Sequence, residues 1–272
     1  RPQGRLPQAK NPAEPQVPII AHTDIKRMLL AQKSYVEGGL GLTLYCARLV
    51  DDQRTGETEA VRDRASALLE ILTPIAKSWP SQWCLEASSL AIQIHGGYGY
   101  TREYNVEQFY RDNRLNPIHE GTHGIQGLDL LGRKVVIHDG AWLQLWAAEL
   151  HQTVVSARAA PALAAYAEQL EQAQQRVLEV TRLIHQTGNL NQTLANASLY
   201  LEAFGHVTMA WIWLQQGLVA LGHETGSEAD FYHGKLQACA YFFKWELPKV
   251  AQQLDLIASI DTTTLDMQDA WF

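Results

Sequence analysis

Residues 163–184, LAAYAEQLEQAQQRVLEVTRLI, carry apolar side chains at Leu163, Tyr166, Leu170, Ala173, Val177, Val180 and Ile184. Steps of three and four residues gather all seven on one side of an α-helix. The charged residues Glu168, Glu171, Arg176 and Glu179 fall off that side. A helix of this kind is stable only when its apolar seam is covered, so the stretch calls for partner helices.

Those partners lie on either side of it in the chain. Leu190, Leu194, Ala197, Leu201 and Phe204 repeat the spacing, as do Leu236, Ala240, Phe243, Leu247, Val250, Leu254 and Ile257. Gly188-Asn189 and the segment ETGSEAD supply turns between them, and Pro248 is expected to kink the last helix. Toward the N-terminus, a helix is predicted from His22 to about Leu49, with Thr23 or Asp24 as its cap. A second is predicted over about Glu59 to Leu72. Pro74 and Pro80 then interrupt the pattern before a third at Ser81 to Ile94, which stops at Gly96-Gly97. Shorter helices are read near Val106 to Asp112 and from after Thr122 to about Val136. No convincing strand is visible. The fold class is all-α: a helical bundle followed by a second antiparallel helical bundle, with the boundary at Asp139-Gly140.

Composition narrows the function. The 272 residues carry a net charge of −7, which excludes non-specific polyanion binding, so no nucleic-acid partner is expected. The charge is uneven. Residues 1–138 hold 16 Lys and Arg against 15 Asp and Glu, whereas residues 139–272 hold 6 against 14. The acidic part is a poor surface for an anionic membrane, and no apolar run is long enough to span one. Cys46, Cys84 and Cys239 are odd in number and far apart, which fits a reducing cytoplasm. The opening RPQGRLPQAKNPAEPQVPII begins with Arg1, holds five prolines and has no periodicity. The chain is therefore read as a fragment of a longer protein.

Chemistry concentrates in residues 93–133, QIHGGYGYTREYNVEQFYRDNRLNPIHEGTHGIQGLDLLGR. His119-Glu120-Gly121-Thr122-His123 spells H-E-x-x-H, in which two histidines one helical turn apart bind zinc and the glutamate activates its water. That chemistry needs a helix interior and a third ligand, for which Asp129 has the spacing. Pro117, Gly121 and Gly124 disfavour such a helix, and no metal site is assigned. The alternative is that Glu120 acts as a general base. A desolvated carboxylate beside glycines removes a proton next to a carbonyl, and a hydride acceptor on the opposite face must be a cofactor. The Gly96-Gly97-Tyr98-Gly99 turn would let backbone approach a phosphate, although helix stops commonly look the same.

The run Gln93-Ile94-His95-Gly96-Gly97-Tyr98-Gly99-Tyr100, then Glu103-Tyr104, Arg111-Asp112 and Ile118-His119-Glu120-Gly121-Thr122, resembles the C-terminal helical domain of acyl-CoA dehydrogenases. Arg1-Pro2-Gln3-Gly4 and His22 through Glu37 resemble the loop and first helix of that domain. The resemblance covers about residues 1–138, the first domain. Residues 139–272, an acidic helical extension, are similar to that of the large bacterial members, the 3-methylmercaptopropionyl-CoA dehydrogenase-like enzymes among them. The resemblance implies an acyl-CoA substrate and FAD. Glu120 would be the base that removes the α-proton, and Gly121 would lie against the thioester. Arg1 would reach the FAD pyrophosphate, while Gln93, Ile94, His95, Gly96, Gly97 and Thr122 would contact the FAD of a neighbouring subunit. A homodimer or higher homo-oligomer follows, with an electron-transfer flavoprotein or similar acceptor as redox partner. Thr23 and Gly124 stand where many members carry glutamine contacts to FAD. A catalytically silent binding or assembly module of the same fold is the second reading.

Overall fold

The computed structural model describes residues 2–9, 11–119 and 122–272. Helices account for its architecture: α1 (Thr23–Thr55), α2 (Glu59–His95), α3 (Val106–Asn113), α4 (His123–Asp129), α5 (Ile137–Arg158), α6 (Ala164–His185), α7 (Leu190–Leu194), α8 (Ala197–Ala220), α9 (Ala229–Tyr241), α10 (Lys249–Ala258) and α11 (Thr263–Asp266). An isolated bridge between Pro2 and Pro18 is the one extended pairing among the described residues. The fold is all-α, as the periodicity predicts. No helix among the described residues is long and apolar enough to cross a membrane.

The centre is α8. Its sequence ASLYLEAFGHVTMAWIWLQQGLVA is apolar on nearly every side, and the run from Ala203 to Leu214 is buried without a break. Such a helix must be enclosed all round. Glycines let its neighbours come close. A Cβ on Gly38 of α1 would lie 2.8 Å from Trp213 Nε1, and one on Gly41 2.9 Å from Ile212 Cγ2. Within α8, a Cβ on Gly205 would meet Trp79 of α2 at 2.7 Å. One on Gly127 of α4 would lie 2.6 Å from the backbone oxygen of Ala197.

The polar atoms of α8 find partners on the surrounding helices, as burial demands. Trp213 Nε1 donates to Ser34 O of α1 at 3.0 Å and Trp211 Nε1 to Thr153 Oγ1 of α5 at 2.8 Å. Thr208 Oγ1 accepts from Trp146 Nε1 at 3.2 Å. One continuous core contains Leu42, Leu68 and Leu131 together with Trp146, Val177 and Leu254. Residues on both sides of position 139 therefore share it. At 139 itself the backbone is unusual: His138, Asp139 and Gly140 all have positive φ, at 50°, 55° and 82°. This left-handed turn is a kink inside the first turn of α5, and the chain runs on as regular helix after Gly140.

Four expectations need correction. The segments read as separate helices at 59–72 and 81–94 are one helix, α2, with Pro74 and Pro80 inside it. Each proline removes a helical hydrogen bond at a cost of about 3 kcal/mol. Burial offsets it: Leu68, Ile71, Leu72, Ile75 and Trp79, before and between the prolines, are at most 3% exposed, and Leu85 and Ala87 beyond them are buried too. Pro80 also nests against Gly39 of α1, whose Cβ would lie 3.4 Å away. Next, the seam from 190 to 204 is broken between α7 and α8 at Ala195 and Asn196. Third, the seam from 236 to 257 breaks at Pro248, where a π turn over Phe242–Glu246 ends α9 and Pro248 opens α10. The first helix starts as predicted, but neither Thr23 nor Asp24 caps it; His22 holds the cap position without a capping bond, and Asp24 pairs with Arg27.

The π turn carries a buried carboxylate. Glu246 is 1% exposed. It accepts from Tyr35 Oη of α1 at 2.9 Å and from Lys249 Nζ at 2.5 Å, while His206 Nε2 of α8 lies 3.8 Å away. Burial opposes its charge, yet His206 and Lys249 hold its pKa at about 2, below the carboxylate range. Of these two, Lys249 is the one within hydrogen-bond distance. Trp79 and Phe242 enclose the His206 ring at 5.8 and 5.9 Å between centroids.

Two outcomes follow for stability. In urea unfolding, Gly127→Ala costs about 1–3 kcal/mol because its methyl group meets backbone. Gly124→Ala, with nothing within 4 Å of the new Cβ, gains up to about 1 kcal/mol. The folded state also loses stability in acid. The pKa of Glu246 is depressed by folding, so its contribution is present above the unfolded carboxylate range and disappears as pH falls toward 2. The contribution is on the order of 2 kcal/mol. Glu246→Gln should be less stable than wild type at pH 7, and the gap should narrow by pH 3.

Candidate functional site

Glycine shapes the end of α2. Gly96 closes the helix at φ 62° and ψ −145°, and its N–H donates to Gln93 O. A tight turn over Gly96–Tyr100 follows. Gly99 is buried against the helix, where a Cβ would sit 2.7 Å from Ile92 O. Gly96 and Gly97 are different: nothing lies within 4 Å of where their Cβ atoms would be. They present bare backbone to the outside, with Gln93 exposed beside them and Ile94 half-buried. His95 Nδ1 is 2.8 Å from Ala91 O, so that nitrogen carries its proton and donates to the carbonyl. The ring packs on Tyr104, 5.7 Å between centroids. Of the five predicted residues, Gln93, Gly96 and Gly97 are exposed, and Ile94 and His95 are half-buried.

The second part of the predicted site is the start of α4. Thr122 is its N-terminal cap residue and is exposed, with no side-chain capping bond. His123 Nε2 lies 3.1 Å from Gln82 Oε1 of α2. Burial holds the His123 pKa below the usual imidazole range, Arg114 adds to this and Glu202 opposes it. Glu120, Gly121 and Arg1 lie outside the described residues.

Within one chain the two parts attach to α2 at different heights. Gln82, which holds the first turn of α4, is eleven residues before Gln93 on the same helix. At a rise of 1.5 Å per residue that is about 16 Å along α2.

The helical spacing needed for H-E-x-x-H is also missing. His119 sits in the turn after α3, where its N–H donates to Leu115 O at 2.9 Å, and His123 is the first residue of α4. Asp129 accepts from Arg133 Nε at 2.6 Å. The cysteines are poorly placed as nucleophiles: burial pushes Cys46 up to about 11 and Cys239 up to about 12.

Beyond Asp129, α4 widens into a π turn over Leu130–Lys134. Periodicity had no signal for it, since it changes the hydrogen bonding but not the apolar pattern. His185 Nε2 of α6 donates to Leu131 O at 3.0 Å, and buried Lys134 pairs with Glu70 of α2. This side of α4 is thereby fixed to both α2 and α6.

Residues 7–135 match the family model described as acyl-CoA dehydrogenase, C-terminal domain, and residues 146–268 match that described as acetyl-CoA dehydrogenase C-terminal like. The 3-methylmercaptopropionyl-CoA dehydrogenase of Ruegeria pomeroyi is 34% identical over 247 residues, covering 85% of this chain and 40% of the relative. A butyryl-CoA dehydrogenase of Syntrophomonas wolfei is 29% identical over 266 residues, covering 95% of this chain and 43% of the relative. The chain spans less than half the length of these relatives. Among solved structures, an acyl-CoA dehydrogenase complexed with FAD from Bacillus anthracis superposes with a TM-score of 0.59 at 21% identity, covering 91% of this chain and 42% of that one. That likeness is one of fold.

The environment of His123 is open to direct measurement. By NMR titration its imidazole should protonate below the usual histidine range, and Glu202→Gln should lower the midpoint further by removing the opposing charge. An unperturbed midpoint, or a rise in the variant, would contradict this assignment of causes.

Proposed function

The chain belongs to the acyl-CoA dehydrogenase family, and we propose that it is the C-terminal part of an FAD-dependent enzyme that introduces an α,β double bond into an acyl-CoA thioester. The carrying observation is the run Glu120-Gly121-Thr122, which leads directly into the α4 N-terminus held on α2 by His123 and Gln82. In this reading Glu120 takes the α-proton, and Gly121 leaves room for the thioester. Closure of the site excludes water and strengthens the carboxylate as a base.

FAD would supply the hydride acceptor for the β-hydrogen. The exposed backbone of Gly96 and Gly97, with no side chain above it, fits the close approach of a flat or phosphorylated group. Gln93, Ile94, His95 and Thr122 would hold it from two directions, and Arg1 would pair with its pyrophosphate.

The separation of about 16 Å between the two parts of the site along α2 favours a homodimer, in which one chain's Gln93–Gly97 surface serves another chain's Glu120. Exposed apolar side chains near both parts, Tyr98, Tyr100, Phe109, Leu115, Ile118 and Ile125, support an interface there. Free Cys46, Cys84 and Cys239 fit the cytoplasm, and an electron-transfer flavoprotein or similar carrier would reoxidise the flavin.

Glu120→Gln in the full-length enzyme tests the base. It should retain bound flavin while the dehydrogenation rate falls by about 10²–10⁴. A panel of acyl-CoA thioesters with an artificial electron acceptor measures the rate, and bleaching of the flavin by acyl-CoA separates a competent enzyme from a silent module. Wild-type activity in Glu120→Gln would remove Glu120 from this role.

A further inference from the structure

A cavity lies between α2, the first turn of α4 and the first turns of α8. Its volume is about 340 Å³. Ser78, Trp79 and Trp83 of α2, His123 of α4, and Leu199 and Glu202 of α8 line it. The wall therefore comes from both family-model regions, residues 7–135 and 146–268, and exists only where they meet.

The chemistry of this wall has one sign. Among the described residues Glu202 is its only formally charged side chain, since burial favours the neutral form of His123. Gln253 Nε2 donates to Glu202 Oε1 at 2.7 Å, and Glu202 forms no ion pair among the described residues. The nearest cations are committed elsewhere or remote. Lys249 Nζ lies 5.6 Å from the Trp83 ring centre but is bonded to Glu246, and Arg114 acts on this region only through its field at His123. Trp79 and Trp83 pack with ring centroids 5.9 Å apart and provide apolar, electron-rich surface. Ser78, 3% exposed, has a hydroxyl that bonds nothing among the described residues. A carboxylate without a counter-cation, set against indole rings, is complementary to an organic ammonium group and repels a carboxylate or phosphate.

We propose that this cavity binds a small organic cation, a primary amine carried on an aromatic or similarly compact apolar body. The ammonium donates to Glu202, and the apolar body packs on Trp79 and Trp83. The proposal does not depend on the dehydrogenase reading.

Three probes of similar size distinguish the outcomes: 2-phenylethylamine, 3-phenylpropionate and 2-phenylethanol, titrated into the 272-residue chain by calorimetry and by tryptophan fluorescence. The amine should bind saturably and quench fluorescence, and the acid should not bind. Glu202→Gln should weaken the amine at least about tenfold while leaving the melting temperature unchanged. Equal binding of amine and acid overturns the proposal, as does undiminished amine binding by a folded Glu202→Gln variant. Absence of saturable amine binding up to about 10 mM overturns it too. The comparison of amine with acid on the unmutated chain stands even where the variant does not fold.

Discussion

The enclosure of α8 governs the rest of the molecule. A helix with apolar side chains on every face has no stable position at a surface. Each fully buried large side chain such as Phe204, Trp211 or Trp213 contributes about 1.5–3 kcal/mol when covered, and that gain is available only if helices surround it. The cover comes from α1 and α2 on one side and from α5, α6, α9 and α10 on the others. At Gly38, Gly41 and Gly205 a neighbour's side chain packs onto bare backbone, and at Gly127 the backbone of Ala197 does. Since α2 and α4 also carry the candidate site, the acidic C-terminal half is structurally part of what positions it.

The same enclosure accounts for the buried polar groups. Tyr35, His206 and Glu246 are each at most 4% exposed and come from α1, α8 and the π turn after α9. Charged Glu246 is tolerable there because a hydroxyl and an ammonium satisfy it. The π turn is what brings that carboxylate inward. Pro248 cannot donate to a helical partner, and the extra residue of the π turn accommodates the break while Leu247 N still reaches Phe242 O at 2.9 Å. A sequence feature that marks a helix end thus places a charge in the core.

The helices themselves were largely legible. Seams such as Leu163 to Ile184 depend on spacing alone, and spacing is a local property. What local reading missed depends on long-range packing. Nothing near Pro74 or Pro80 announces that burial of Leu68 to Trp79 will carry one helix through both. Residues 205–214 show no seam because they have no solvent side. The candidate site was legible in a different way, through the residue types and order of Gln93 to Thr122, which are chemical constraints. Glu202, His206 and Glu246 escaped notice because each reads as an ordinary polar residue until α8 is seen to be enclosed. The H-E-x-x-H pattern shows the opposite failure, a local match whose required helix is prevented by Pro117 and the glycines.

The continuity of α2 then acquires a role in the site. Its C-terminal end presents Gln93 to Gly97, and its middle, at Gln82, holds the start of α4. Both are attached to one rigid element, so their separation of about 16 Å is fixed by the helical rise. Two helices hinged at Pro74 or Pro80 would leave the first half free to move relative to the site. Instead both prolines lie on the N-terminal side of Gln82, buried or packed against Gly39, and the segment from Gln82 to Gln93 has none. The stretch that must act as a ruler is therefore uninterrupted, and the kinks that the sequence does contain are placed where the core restrains them. In the dimer proposed above, this spacing would let each chain offer its glycine surface to the other without disturbing its own α4 start.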